Sequence, residues 1–212
     1  MRRYFILFLV INVASVYALI GGAGIHVVQD QFTIEESNAT YADVNFFTTS
    51  ELTNPIGLGG FMYLTIIPLI DFEGGYNITV QKYNFGYPDL GEQEFGIGKA
   101  TWYASVQYPF FSPPTMRVYI GAGANGTEWL EPITYETLET LDEQGKAFDD
   151  KDAILDAVAR SSSGYHFEMG ARFKPPLFPM SFNGNIRYIM DKDFHSTVED
   201  YLMISLGLAF AI

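Results

Sequence analysis

The final segment of the chain alternates between large apolar residues and small or polar residues. From Tyr201 to Ile212, every even-numbered position is Leu, Ile or Phe, whereas the odd-numbered positions are Tyr, Met, Ser, Gly and Ala. Alternate side chains of a β-strand point to opposite faces, so this period of two predicts a strand with one apolar face. A tilted strand of about 9–11 residues crosses a bilayer, and this segment is long enough to do so.

The same alternation recurs along the chain and predicts eight strands. They are approximately Leu19–Asp30, Pro55–Pro68, Asp71–Phe85, Phe95–Phe111, Met116–Trp129, Tyr165–Lys174, Pro179–Asp191 and Tyr201–Ile212. Three connections are short, near residues 68–71, 111–115 and 175–179, and four are long, near residues 31–54, 86–94, 130–163 and 192–200. This order predicts an all-β fold: an eight-stranded antiparallel up-and-down transmembrane β-barrel with short periplasmic turns and long extracellular loops. A short helix is predicted within the third long loop, from Asp149 to Arg160.

Alternation by itself does not say which face of each strand points into the barrel. A soluble lipocalin-like barrel would turn the apolar face inward, whereas a membrane barrel turns it toward lipid. Aromatic residues near the strand ends and the near absence of charge from the apolar face favour the membrane arrangement. The residues predicted to face lipid are Trp102, Tyr108, Phe110, Tyr165, Phe167, Phe173, Leu206 and Phe210.

The opposite face carries the charged residues that would lie in the lumen. They are Glu73, Lys99, Arg117, His166, Glu168, Arg172, Lys174 and Arg187. A turn near residue 177 would bring Glu168 opposite Arg187, so we expect an ion pair there, with Arg172 as a candidate third member. Eight strands enclose a space that side chains can just fill, and this favours a plugged lumen over an open pore.

These strands and faces resemble those of the small outer-membrane β-barrels of the OmpA, OmpX and OmpW kind, over nearly all of residues 19–212. The resemblance implies a Gram-negative outer membrane, contact with its lipids and lipopolysaccharide, and insertion by the barrel-assembly machinery. It implies no single activity. Barrels of this kind usually finish on an aromatic residue, and this chain departs from that pattern, because Phe210 is third from the end and Ile212 is last.

The beginning of the chain has the features of a secretory signal. Arg2 and Arg3 precede an apolar run, and Val16–Ala18 supplies small residues at cleavage spacing, so we expect a cleaved signal at residues 1–18 and a barrel domain at residues 19–212. The chain has no cysteine, which excludes a disulfide framework. Its formal net charge of −13 argues against nucleic-acid binding, because phosphate contacts need a basic surface.

Candidate chemistry is sparse. His195, Ser196, Glu199 and Asp200 contain the side-chain types of a hydrolase triad, but their adjacency in one loop does not supply its geometry. We therefore expect neither catalysis nor a cofactor. The acidic loop segments Glu35–Glu36 and Asp149–Asp152 could bind divalent cations that bridge to lipopolysaccharide phosphates. A negatively charged loop surface that stays in water and repels other acidic surfaces explains them as well.

Four functions remain open from the sequence. The leading hypothesis is a non-enzymatic outer-membrane barrel with an envelope-structural or surface-interaction role. The second is a narrow, porin-like conduit for small or hydrophobic solutes, as in the OmpW resemblance. The third is a soluble lipocalin-like carrier, and the fourth is a membrane-embedded hydrolase.

Overall fold

A computed structural model of the chain describes residues 21–41, 44–67, 69–87, 91–135, 137 and 151–211. The predicted signal at residues 1–18 lies outside this part of the chain. The strands are β1 (Gly21–Gln31), β2 (Thr33–Ile34), β3 (Ser37–Tyr41), β4 (Val44–Thr49), β5 (Leu52–Thr53), β6 (Ile56–Ile67), β7 (Ile70–Tyr87), β8 (Gly91–Phe111), β9 (Met116–Leu130), β10 (Ala159–Phe173), β11 (Met180–His195) and β12 (Val198–Ala211), and a helix, α1, spans Lys151–Val158. None of the helical segments described is long and apolar enough to cross a membrane.

The predicted eight-stranded barrel is confirmed. Strands β1 and β6–β12 pair with their neighbours in antiparallel fashion, and β1 pairs with both β6 and β12. The closing ladder runs from Gly22 opposite Ala211 to Gln31 opposite Leu202. Because the barrel is closed, the backbone polar groups of its spanning strands are satisfied by neighbouring strands, as hydrocarbon surroundings require.

Two of the four predicted long loops are wrong. Strands β7 and β8 extend to Tyr87 and Gly91, and β11 and β12 are joined through Ser196 and Thr197 alone. These segments are rich in charged residues, and charged side chains are compatible with strands that project beyond the bilayer. Of the other two, the first contains the short strands β2 to β5 among its described residues, and the second contains the predicted helix as α1, which ends two residues before Arg160.

A small sheet projects from the outer end of the barrel, the end opposite the short turns. Strand β6 accompanies β7 only as far as Val80. Farther out, the hairpin β3–β4 takes its place, with Thr48 opposite Gly86. On the other side of β7, strand β8 begins at Gly91, whereas its pairing with β9 begins only at Lys99. Strands β3, β4, β7 and β8 therefore form a sheet above the barrel rim.

The barrel is polar inside and apolar outside, which contradicts the lipocalin-like alternative. Phe167 and Leu206 expose 57% and 68% of their surface on the outer face, whereas Arg172 on the inner face is fully buried. All eight residues predicted to face lipid are exposed on the outside of their strands, namely Trp102, Tyr108, Phe110, Tyr165, Phe167, Phe173, Leu206 and Phe210. An apolar exterior of this extent is stable in hydrocarbon and not in water.

Candidate functional site in the barrel lumen

The inner half of the lumen is occupied by an ion-pair network of three arginines and three carboxylates. Arg172 reaches across the barrel from β10 to β7, where its Nη1 lies 2.9 Å from Asp71 Oδ2 and its Nη2 lies 2.7 Å from Glu73 Oε2. Arg187 Nη2 lies 2.8 Å from Glu168 Oε2 and 3.2 Å from Glu73 Oε1. We call this set, together with Arg117, the inner network.

Neutral side chains complete the inner network. Arg117 Nη1 lies 3.1 Å from Asp71 Oδ1. Gln107 Nε2 donates to Glu73 and Glu168, and its carbonyl oxygen accepts from Arg172. Tyrosine rings from three strands cover the guanidinium groups: the Tyr63 and Tyr119 rings lie 4.1 and 4.8 Å from the Arg172 Cζ atom, and the Tyr103 ring lies 3.7 Å from the Arg187 Cζ atom. Buried charges that are paired and hydrogen-bonded in this way offset much of their desolvation cost.

One lysine marks the upper limit of the charged region. Lys99 Nζ lies 2.8 Å from Asp30 Oδ2 and donates to the Tyr201 hydroxyl at 2.9 Å. Asp30 Oδ2 also accepts from the Thr79 hydroxyl at 2.9 Å. Aromatic rings surround the ammonium group, with the Phe32 and Tyr201 ring centroids 5.3 and 4.3 Å away. This lysine therefore joins the charged part of the lumen to the apolar part beyond it.

The outer half of the lumen is closed by an apolar cluster, which we call the outer plug. Phe194 is central: its ring centroid lies 4.7 Å from that of Trp129 and 5.3 Å from that of Phe32. The plug comprises Val28, Phe32, Ile34, Phe47, Leu52, Tyr83, Ile97, Trp129, Ile189, Phe194, Val198, Tyr201 and Met203. Strand residues and residues of the 32–55 segment thus fill the mouth together.

Beyond the plug, a cavity of about 870 Å³ lies between the 32–55 segment, α1 and the β11–β12 turn. Within it, Glu131 binds Arg160, with 2.9 Å between Oε2 and Nη2, and approaches His195, with 3.7 Å between Oε1 and Nε2. Burial lowers the pKa of His195, while the Glu131 carboxylate opposes that shift. Glu35 and Glu36 also line the cavity. Among the described residues, no group of three or more acidic or histidine side chains is placed to hold a metal ion.

Comparison with known proteins gives structural matches only. No protein-family model matches the chain, and no curated protein is detectably similar to it. The outer membrane protein OprG of Pseudomonas aeruginosa is 10% identical over 91% of this chain and 95% of its own, with a TM-score of 0.56. The chain has the fold of the small outer-membrane β-barrels.

Two further structures were matched. The N-terminal β-barrel domain of Pseudomonas aeruginosa OprF is 11% identical, covers 90% of this chain and 99% of that domain, and has a TM-score of 0.48. Ail, the attachment invasion locus protein of Yersinia pestis, in complex with the heparin analogue sucrose octasulfate, is 15% identical, covers 91% of this chain and 99% of its own, and has a TM-score of 0.46.

In this outer-membrane-type barrel, most of the charged residues selected from the sequence meet in the lumen. Glu168 lies directly opposite Arg187, and the expected ion pair is present. The side chains buried in the lumen are Glu73, Lys99, Arg117, His166, Glu168, Arg172 and Arg187. Lys174 lies after the end of β10, where it is half-buried and its backbone N–H donates to the Thr115 carbonyl at 2.8 Å.

Sequence reasoning missed Asp71 and the apolar residues of the outer plug. Asp71 begins the predicted strand Asp71–Phe85 but is not among the predicted lumen charges. It lies two positions before Glu73, and this spacing places both side chains on the lumen face. Two residues of the possible hydrolase triad have other partners. His195 Nδ1 lies 2.8 Å from the Thr197 hydroxyl, and Asp200 accepts from the Tyr188 hydroxyl on the outer surface.

Proposed function

We propose that the protein resides in an outer membrane as a non-enzymatic barrel with a closed lumen, and that it acts by stabilising the envelope or by presenting its outer surface to partners. One observation supports the proposal: the inner network, the Lys99–Asp30 pair and the outer plug place buried side chains at successive levels of the lumen. An eight-stranded barrel has little spare interior volume, so these side chains leave no wide aqueous path.

The projecting sheet supports a surface role. In the described part of the chain, β3 ends the sheet on one side, and residues 91–98 of β8 pair only with β7 on the other. Exposed strand edges present backbone donors and acceptors that can pair with an added strand. In this proposal, the apolar exterior contacts outer-membrane lipids and lipopolysaccharide, and the barrel-assembly machinery inserts the chain.

Conductance across a planar bilayer tests the closed lumen. Folded wild-type protein should give no discrete channel events. Phe194→Ala, which opens the outer plug but keeps the inner network, should also give none, because two barriers lie in series. Reproducible conductance steps from folded wild-type protein would contradict the proposal and favour the solute conduit.

Epitope tags test the surface role and the orientation together. A tag inserted between Ser196 and Thr197 should bind antibody on intact cells. The same tag inserted between Pro113 and Pro114, in a short turn at the other end, should bind only after the outer membrane is permeabilised. Equal labelling of both tags on intact cells, or the reverse pattern, would contradict the proposed arrangement.

A further inference from the structure

The buried charges of the barrel do not balance. Five carboxylates in the described part of the chain are fully or nearly buried: Asp30, Asp71, Glu73, Glu168 and Asp191. The buried lysine and arginine side chains in the described part of the chain are four: Lys99, Arg117, Arg172 and Arg187. The two buried histidines, His26 and His166, hydrogen-bond to Asn77 and Ser105 and not to a carboxylate.

The unbalanced carboxylate is Asp191. The three arginines pair with Asp71, Glu73 and Glu168, and Lys99 pairs with Asp30. Asp191 is fully buried and receives a neutral hydrogen bond, from Ser162 Oγ to its Oδ2 at 2.7 Å. The backbone N–H of Asp193 also interacts with this carboxylate, and the charge of Lys99 attracts it, although the ion-pair contact of Lys99 is with Asp30. Its Oδ1 has no hydrogen-bond partner.

Other unpartnered oxygen atoms lie on the same part of the lumen wall. The hydroxyls of Thr101 and Thr127 and the amide of Asn125 are each about 1% exposed and have no hydrogen-bond partner. Thr101 lies opposite Thr127, and Thr127 lies opposite Ser162, the residue that donates to Asp191. Directly opposed residues on one face have Cβ atoms about 5 Å apart, so these groups form a continuous polar patch.

A second carboxylate oxygen is also unpartnered. Asp30 uses its Oδ2 for both Lys99 and Thr79, while its Oδ1 has no partner. The atoms that could bind an ion in this part of the lumen are thus carboxylate, hydroxyl and amide oxygens. Oxygen atoms of these kinds are the ligands preferred by hard cations. The excess negative charge is one, which matches a monovalent ion rather than a divalent one.

We propose that Asp191, with Thr101, Thr127 and Asn125, binds a small monovalent cation of the Na⁺ class inside the barrel. The ion neutralises the one negative charge by which the described buried carboxylates exceed the buried cations, and its coordination uses oxygens that lack a hydrogen-bond partner in the described part of the chain. A cation enclosed in this way acts as part of the folded structure, because the unfolded chain has no such site. The proposal does not depend on whether the barrel conducts or on its surface partners.

The test compares unfolding in different salts. Wild-type protein is refolded into zwitterionic detergent micelles at pH 8, at constant ionic strength, with NaCl replaced stepwise by choline chloride, whose cation is too large for the site. A bound ion raises the folding equilibrium constant in proportion to its concentration, once that concentration exceeds the dissociation constant. Each tenfold rise in Na⁺ in that range should therefore raise the folding equilibrium constant about tenfold.

Variants assign the effect to this site. Asp191→Asn should abolish the difference between NaCl and choline chloride, and Thr127→Val should reduce it if Asp191→Asn does not fold. Asp193→Asn, which changes an exposed carboxylate two residues away, should keep the full difference. In crystals soaked in Tl⁺, an anomalous peak beside Asp191 should be present in wild-type protein.

Three results would overturn the proposal. The first is an unfolding midpoint that is the same in NaCl and choline chloride. The second is a sodium dependence that Asp191→Asn and Thr127→Val both retain. The third is an unfolding midpoint that changes with pH but not with the identity of the cation. In that case a proton on Asp191 would remove the excess charge, and water would satisfy the hydroxyl groups.

Discussion

The two halves of the lumen are closed by different chemistry. In the inner half, three arginines and three carboxylates from opposite walls are joined by hydrogen bonds and covered by tyrosine rings. In the outer half, aromatic and aliphatic side chains pack against one another as in the core of a soluble protein. Removing one partner of a buried ion pair leaves an uncompensated charge, whereas the cost of an apolar substitution grows with the volume of side chain that is lost.

This difference means that the halves should respond differently to substitution. Loss of one charge in the inner network leaves other buried charges without compensation. Loss of one ring in the outer plug leaves a cavity that neighbouring side chains can partly fill. The predictions below use this contrast, first within the lumen and then between the lumen and the two outer surfaces.

The largest effect is expected for Arg172→Ala. Asp71 and Glu73 would both lose a buried partner, and removing one member of a buried ion pair typically costs about 3–5 kcal/mol. The free energy of unfolding by urea in micelles or lipid vesicles measures this loss. The matched control is Lys82→Ala, because Lys82 and Glu94 form an exposed ion pair of 2.6 Å, a kind worth about 0–1 kcal/mol. Equal losses in the two variants would contradict the structural role of the inner network.

A somewhat smaller effect is expected for Phe194→Ala in the outer plug. Its ring contacts Phe32, Trp129 and Tyr201, and removing a buried phenylalanine side chain costs about 3 kcal/mol. The same unfolding measurement applies. Phe194→Leu keeps most of the volume and should lose clearly less. If Phe194→Leu is as damaging as Phe194→Ala, the plug depends on ring geometry and not on filled volume.

The sequence predicted the inner half of the lumen better than the outer half. Alternation assigned Glu168 and Arg187 to the inner face, and the turn near residue 177 fixed their register, so their pairing followed. The outer plug depends on Phe32 and Leu52, which belong to a segment of short, irregular strands. No periodicity fixes the direction of such side chains, and only the tertiary structure brings them over the mouth of the barrel.

The sequence pattern also did not predict the full length of the long strands. Strands β7 and β11 continue past Phe85 and Asp191, the ends predicted from the alternation. In β11, a register shift between Met190 and His195 interrupts the alternation. Asp191 and Phe194 are both buried although Phe194 is the third residue after Asp191, whereas strict alternation would place them on opposite faces. A bulge of this kind cannot be recognised from a strict period of two.

The outer face supplies a third prediction. Leu206 lies midway along the apolar face of β12 and is exposed on the outside of the barrel. Leu206→Arg should therefore destabilise the barrel by about 2 kcal/mol in lipid vesicles, as a charge near the bilayer centre does. Unfolding in vesicles of defined thickness measures the loss. Leu206→Ala separates the cost of the charge from the loss of apolar surface. If Leu206→Arg has the same free energy of unfolding as the wild-type protein, position 206 lies outside the hydrocarbon layer.

The smallest effect is expected at the outer cavity, where His195 lies beside Glu131. Burial lowers the pKa of His195 in the folded protein below its ordinary value of 6.5, so the unfolded chain takes up a proton more readily. The free energy of unfolding should therefore fall as pH drops below about 6.5 and stop falling once the folded protein is protonated too. Subtracting the pH profile of His195→Gln isolates this contribution from those of other groups. If the wild-type protein instead gains stability over His195→Gln at low pH, attraction between protonated His195 and Glu131 outweighs the cost of burial.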